Sequence, residues 1–392
     1  MKKTTFIIFL FFLSFSFAFS QEEKKHNYSL NGYVTNMQSV MFDSLKGNWT
    51  NDNLIHNRLN FNWFPAESFS FNVGIRTRIF TGESVKYIPG YADLLSADKG
   101  IIDLNTNLVS ENSVIINSQI DRAYLSYEKG NLSITAGRQR INWGRSFVWN
   151  PNDLFNSYSF FDFDYPEKPG SDALRIQYYT GAASSAELVA KIDSSENITA
   201  AGMYHFNFAS YDFQILGGII SEKDYVIGAG WEGAVKSMSL RGEISYLHPK
   251  EHFSDTTGLF IADISCDYTF QNSLALRFEF LYNQQPASGG ISSFQQYYYE
   301  PLSVKNLSFT EYNFFGSISC PLTPLFNFSL SGMFYPKIKG YFFGPVFSYS
   351  LSDNADISVL AQTFGGNLKN PINEDAEFKS MTFAFLQFKY SF

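Results

Sequence analysis

From Tyr28 to the C-terminus the chain keeps a two-residue rhythm. Between Ser68 and Phe80, the residues Phe69, Phe71, Val73, Ile75 and Ile79 fall on one side of an extended chain. Ser70, Asn72, Gly74, Arg76 and Arg78 fall on the other. The pattern returns in Leu274–Tyr282, where Leu274, Leu276, Phe278, Phe280 and Tyr282 oppose Arg277 and Glu279. It returns again in Phe326–Phe334. Apolar residues at every second position predict strands with one apolar and one polar face, and about eighteen such segments of about 8–13 residues can be marked out.

Alternation alone suits a β-sandwich as well as a barrel; the connections separate the two. One set is short: ProAlaGlu at 65–67, GluLysGlyAsn at 128–131, ProLeuThrPro at 321–324 and SerAspAsnAla at 352–355. The other set varies and includes four long joins, Gly82 to Asn117, Arg140 to Ser171, Gln284 to Thr310 and Gly365 to Lys379. Short turns at one end and long loops at the other are the periplasmic and extracellular ends of an outer-membrane barrel. The chain closes on Ala384, Leu386, Phe388, Tyr390 and Phe392, alternating to a terminal Phe. That ending resembles the signal such barrels present to their assembly machinery, which makes Phe392 a contact for that partner. With both termini in the periplasm the strand number is even; eighteen meets this, and sixteen would too.

Composition agrees. Aromatics are 18% of the 392 residues and charged residues only 17%, with a mean hydropathy of −0.14. Strands facing lipid on one side and water on the other, with aromatic girdles at both interfaces, need this mixture. No run of 18 apolar residues follows the leader, so no transmembrane helix is expected. Lys2 and Lys3, the apolar run Phe6–Phe19 and Ala18-Phe19-Ser20 read as a Sec signal peptide over residues 1–20. Residues 21–392 form a single barrel domain, exported to the outer membrane of a Gram-negative cell and bathed in its lipid. A net charge of −8 gives no reason to expect nucleic acid as a partner. Cys266 and Cys320 are expected to face lipid from separate strands, unpaired.

A barrel of this size is hollow unless loops enter it. The alternation sends Arg76, Arg78, Arg122 and Arg175 inward, with Arg138, Arg140 and Arg145 in or beside the stretch Leu132–Asn156. Further on, Glu187, Glu232, Glu243, Asp263, Asp267, Glu279 and Asp356 face inward, interrupted by Arg241 and Arg277. Two readings compete: salt-bridge ladders that stiffen the wall, of which Arg241, Glu243, Arg277 and Glu279 look like one, or a basic patch facing an acidic one and biasing the pore toward anions.

The stretch 132–156 breaks the rhythm. It contains GlyArgGln at 137–139, AsnTrpGly at 142–144 and AsnProAsnAsp at 150–153, with ProGly at 169–170 beyond. This spacing resembles a family of porin-like outer-membrane proteins in which a strand ending Gly-Arg-Gln runs into Trp-Gly and Asn-Pro-x-Asp. Alginate-export barrels are more distantly similar, sharing the strand end and a basic lumen. The match covers about forty residues and implies a channel without naming a solute. Leu132, Ile134 and Ala136 face lipid, so strict alternation would send Arg138 there too. A β-bulge at Gly137 would re-aim it to the lumen, and that is the expectation. The following loop, with Phe160, Phe161, Phe163 and Tyr165, is expected to pack inside the barrel as a constriction near Arg138, Arg140 and Arg145. In the rival reading Trp143 and Trp149 belong to the outer girdle and the arginines merely pin the loop to wall carboxylates.

No catalytic constellation stands out. His248 and His252 have a spacing that would suit a metal on a helix, but they sit in a loop. No enzyme, metal or cofactor is expected. The sequence is read as a diffusion channel for small hydrophilic solutes, anions among them, compatible with a homo-oligomer. The alternatives are a polysaccharide-export or specific-uptake barrel and a non-conducting, capsule-binding one.

Overall fold

The computed structural model describes residues 27–284, 303–369 and 375–392. Among them, nineteen strand segments form one antiparallel sheet. The first three are β1 (Tyr28–Phe42), β2 (Trp49–Ala66) and β3 (Phe69–Gly82). Two short helices follow, α1 (Glu83–Tyr87) and α2 (Tyr91–Ser96), then β4 (Asn105–Glu111), β5 (Val114–Lys129) and β6 (Leu132–Gln139). After residues 140–170 the wall resumes with β7 (Ser171–Gly181), β8 (Ser184–Ile192), β9 (Ile198–Phe208) and β10 (Tyr211–Ile220). Next come β11 (Asp224–Val235), β12 (Met238–Pro249), β13 (Leu259–Thr269) and β14 (Ala275–Asn283). The last five are β15 (Tyr312–Thr323), β16 (Phe326–Tyr335), β17 (Gly340–Ser352), β18 (Ala355–Lys369) and β19 (Ala376–Ser391).

The sheet closes on itself, because β19 pairs with β1 from Tyr33↔Ser391 to Phe42↔Thr382. The backbone of Phe392 exchanges two 2.9 Å hydrogen bonds with Gly32 at the seam. β4 does not add a position to the wall. It pairs with β5 at residues 114–119, while β6 pairs with β5 at residues 123–129, so the two segments share one place. Nineteen segments therefore build an eighteen-strand, porin-like transmembrane barrel.

The two faces follow the alternation. Outward side chains such as Leu125, Leu188, Ile227, Phe278 and Leu386 are exposed, as lipid contact requires. Exposed Tyr178, Tyr204, Tyr268, Tyr349 and Tyr390 mark the short-turn end; Tyr225, Tyr246, Tyr312 and Tyr341 mark the other. Cys266 and Cys320 are free and lie opposite outward Phe278 and Phe328.

Four expectations need revision or placing. The expected loop Gly365–Lys379 is shorter, because β18 continues to Lys369 and β19 begins at Ala376. The expected loop Gly82–Asn117 holds α1, α2 and β4, and β5 already begins at Val114. The leader, residues 1–20, and most of the Gln284–Thr310 join lie outside the described residues.

The bulge is also elsewhere. β6 pairs with both neighbours without a register shift, so Gly137 is not a bulge. Instead the β3–β5 ladder slips between Gly74↔Arg122 and Ile75↔Ile120, leaving Asp121 as the extra residue. Both Asp121 and Arg122 then face inward, as their hydrogen bonds to inward groups show.

Candidate functional site

The connection between β6 and β7 folds into the barrel. Ile141, Trp143, Val148, Trp149, Leu154, Phe155 and Phe161 are each no more than 6% exposed. They join inward-facing Val189, Leu216, Leu247, Ile261, Leu281, Phe342 and Phe364 in one apolar cluster. Each buried side chain of this size contributes roughly 1.5–3 kcal/mol. Trp143 and Trp149 belong to this interior, not to the outer girdle.

Most of the loop lacks regular structure, so its backbone N–H groups need acceptors from elsewhere. The wall carboxylates supply them. Glu279 on β14 accepts from the backbone of Phe147 at 2.9 Å, Val148 at 3.0 Å and Trp149 at 2.6 Å. Glu243 on β12 accepts from the backbone of Arg145, Ser146 and Asn152. Asp263 on β13 accepts from the Ser146 hydroxyl. On β8, Glu187 accepts the Trp143 indole N–H at 2.7 Å and pairs with Arg175 at 2.7 Å through its second oxygen. Asn152 donates to Ala229 O at 2.9 Å, and Ser245 donates to Pro151 O at 2.9 Å.

The second half of the loop crosses to the opposite wall. Phe160 meets Phe315 of β15, Phe161 meets Phe342 of β17 and Phe364 of β18, and Phe163 meets Phe385 of β19. Gln362 donates to Phe161 O at 3.0 Å. Asp164 then reaches His56 on β2 at 3.1 Å and Arg76 on β3 at 3.3 Å. Arg76 donates to His56 Nε2 at 3.0 Å; since Arg only donates, Nδ1 carries the proton toward Asp164. Tyr165 donates to Asp121, which also binds Arg58 at 2.6 Å. Arg122 ends the circuit, donating to Glu167 O at 2.6 Å and Lys168 O at 2.7 Å. The loop is thus fastened around almost the whole inner circumference.

The other sequence-derived candidates divide. Arg140 is inside, bonded to Asn156 O at 2.7 Å and Asp153 at 3.1 Å. Burial of Asp153 pushes its carboxyl up to about 6, against the opposing pull of Arg140. Arg145 is inside too, on Gln214 at 3.0 Å and Glu232 at 3.4 Å. Glu232, Arg241 and Asp267 continue this belt at 2.8 and 2.7 Å. Arg277 sits over the Phe147 ring at 5.2 Å, with Arg241 over the same ring at 4.6 Å. Arg78 binds Asn117 at 2.7 Å and the Leu95 carbonyl at 3.4 Å, below α2.

Arg138 does not line the lumen. Without a bulge it stays on the outer face, opposite Ala123 and Asp172. There it binds Asp172 at 2.6 Å and Asp98 at 2.6 Å. Gly137 has φ 116°, and a Cβ there would land on the Ala123 carbonyl oxygen. Glycine is needed for that close approach, not for a bulge.

Sequence reading missed Arg58, His56, Asp121, Asp164 and Glu167. Their partners lie far away in the chain, and only the inward position of His56 and Arg58 between Leu54 and Asn60 hinted at a role. Among the described residues, no group of three or more His, Cys, Asp or Glu side chains could hold a metal ion.

Several solved structures share this architecture. Acinetobacter baumannii OccAB2 aligns with a TM-score of 0.60 at 9% identity, over 93% of this chain and 98% of that one. OccAB1 of the same organism aligns with a TM-score of 0.57 at 10% identity, over 95% and 99%. Pseudomonas aeruginosa OccK11 (OpdR) gives 0.55 at 7% identity, over 93% and 96%. At these identities the likeness establishes the barrel fold. No protein-family model and no curated protein matches the chain.

Proposed function

We propose that the protein is an outer-membrane channel through which small hydrophilic solutes diffuse, with the folded-in loop as its constriction. The reading is carried by the small hydrophilic side chains that face inward below the loop. There Ser317, Ser319, Ser329, Ser331, Ser348 and Ser358 of β15–β18 are half-buried beside the Arg241–Asp267 belt. Eighteen strands enclose more space than their own side chains fill. Diffusion through such a pore needs no catalytic group and no cofactor.

Any anion preference rests on fewer arginines than the chain carries inward. Arg58, Arg76 and Arg122 are spent on loop and wall acceptors and nearly buried. Arg140, Arg145 and Arg175 keep 20, 23 and 32% of their side chains exposed. Reversal potentials across planar bilayers under a salt gradient test both statements. Discrete conductance steps support the channel, and the triple change Arg140→Gln, Arg145→Gln, Arg175→Gln should move the reversal potential toward cation preference. A bilayer that stays silent would favour a plugged, non-conducting barrel.

A further inference from the structure

The luminal loop leaves the wall with a breach. β6 stops at Gln139 and β7 starts at Ser171, while β5 continues to Val114, so the far part of β5 loses its neighbour. β4 fills that place. It runs in the same direction as β6 and pairs with β5 from Asn105↔Gln119 to Glu111↔Val114. Ile120 N donates to Leu104 O at 2.9 Å, carrying the ladder back toward the Ala123–Arg138 pair. The strip 98–104 just before β4 crosses the outer face of β6 and β7 to the turn after β8. There Gly100 bridges to Asp193, and Ser194 N donates to Lys99 O at 3.1 Å.

Arg138 ties this strip down. It binds Asp172 on the adjacent strand at 2.6 and 2.9 Å, and on the strip it binds Asp98 at 2.6 Å and Ile102 O at 2.7 Å. Ile102 N returns a bond to Asp172 at 3.2 Å. Gly100 passes so close that a Cβ would strike both the Arg138 guanidinium and the Asp172 carboxylate. Arg138 ends 4% exposed although it stands on the outer face.

Depth explains why a cover is needed. Leu132 pairs with Tyr178 of the short-turn girdle. Arg138 is six residues further on, so at about 3.3 Å per residue and a tilt of about 40° it lies about 15 Å up a hydrocarbon band of about 25 Å. An arginine bare to lipid there would be strongly disfavoured. The strip hides the ion pair and instead turns Ile101 and Ile102 outward, 49 and 60% exposed, beside outward Leu125 and Leu174.

We propose that strip 98–104 is a replacement piece of barrel wall that meets lipid acyl chains through Ile101 and Ile102, closes the breach between lumen and bilayer, and is latched by Arg138. Its lipid contact continues that of the outward strand residues around it.

The test places a bimane label on Ile101→Cys or Ile102→Cys, in a background with both native cysteines changed to serine, in liposomes of brominated phospholipid. Quenching by the brominated chains and protection from aqueous iodide are expected. Iodide quenching without bromolipid quenching overturns the lipid contact, and a disulfide-linked dimer through Ile101→Cys overturns it by assigning the patch to a second copy. Asp98→Asn, which leaves the Arg138–Asp172 pair in place, should abolish bromolipid quenching. Unchanged quenching in that folded variant overturns the latch.

Discussion

Replacing Glu279 by Ala removes the acceptor for three consecutive backbone donors, Phe147, Val148 and Trp149, at 2.6–3.0 Å. Each buried N–H left without a partner costs about 1–3 kcal/mol. Opposing this, the mutation deletes a carboxylate that is itself only 3% exposed, and removing a buried charge recovers part of its desolvation cost. The net loss of loop docking should be about 2–5 kcal/mol, smaller than the sum because water enters the vacated site. At about 1.4 kcal/mol per tenfold, the undocked fraction rises by at least an order of magnitude. The barrel itself should survive, since the loop adds nothing to its ladders between β14 and its neighbours. Limited proteolysis of the purified, folded barrel reads the effect: cleavage near Arg145 should be much faster in Glu279→Ala than in wild type. Glu279→Gln keeps one acceptor oxygen and should fall between them. Wild-type protection in a correctly folded Ala variant would refute the anchoring role of Glu279.

Two further outcomes follow from the geometry. Gly137→Ala places a Cβ against the Ala123 carbonyl at φ 116°; it should destabilise the barrel by about 1–3 kcal/mol, read as a lower temperature of heat-induced unfolding. Asp153 carries a carboxyl raised from 3.8 to about 6, so the docked loop binds its proton more tightly than an exposed one does. Its contribution is therefore fully present below about pH 4 and lost as pH rises through about 6, a change of about 2–4 kcal/mol. Proteolytic protection of wild type relative to Asp153→Asn should fall across that window, and a flat ratio would contradict the assignment.

The wall was largely legible because its physics is local. Each strand shows its lipid face in every second residue, and the short turns show which end is which. The partners of the lumen charges were not legible in the same way. Glu243 and Glu279 were visible as inward carboxylates, but their ligands are main-chain amides some 90–130 positions earlier, and amides leave no mark in a sequence. The ladder expected of Arg241, Glu243, Arg277 and Glu279 does not form, because Glu243 and Glu279 take the loop's amides and Arg277 lies over Phe147; Arg241 pairs instead with Glu232 and Asp267, its neighbours across β11–β13. For Arg76, Arg122 and Arg140 neither a ladder nor a bare basic patch describes the outcome, because the loop between the walls takes up their donors. Arg138 went astray for a related reason. The choice between lumen and lipid was correctly posed, but a charged residue on the lipid face looked untenable until strip 98–104, about forty residues earlier, supplied the cover. β4 was hidden in what read as a loop, since only the early end of β6 leaves it a place in the wall.

The central claim is that a loop fastened inside an eighteen-strand barrel sets the width of a water-filled path. Single-channel recording of the purified protein in planar bilayers, repeated after deletion of residues 145–152, tests it most directly. Discrete steps that grow markedly in the deletion variant are the expected result. Steps of equal size in both proteins would show that the loop does not set the path, and silence in both would show that there is no path to set.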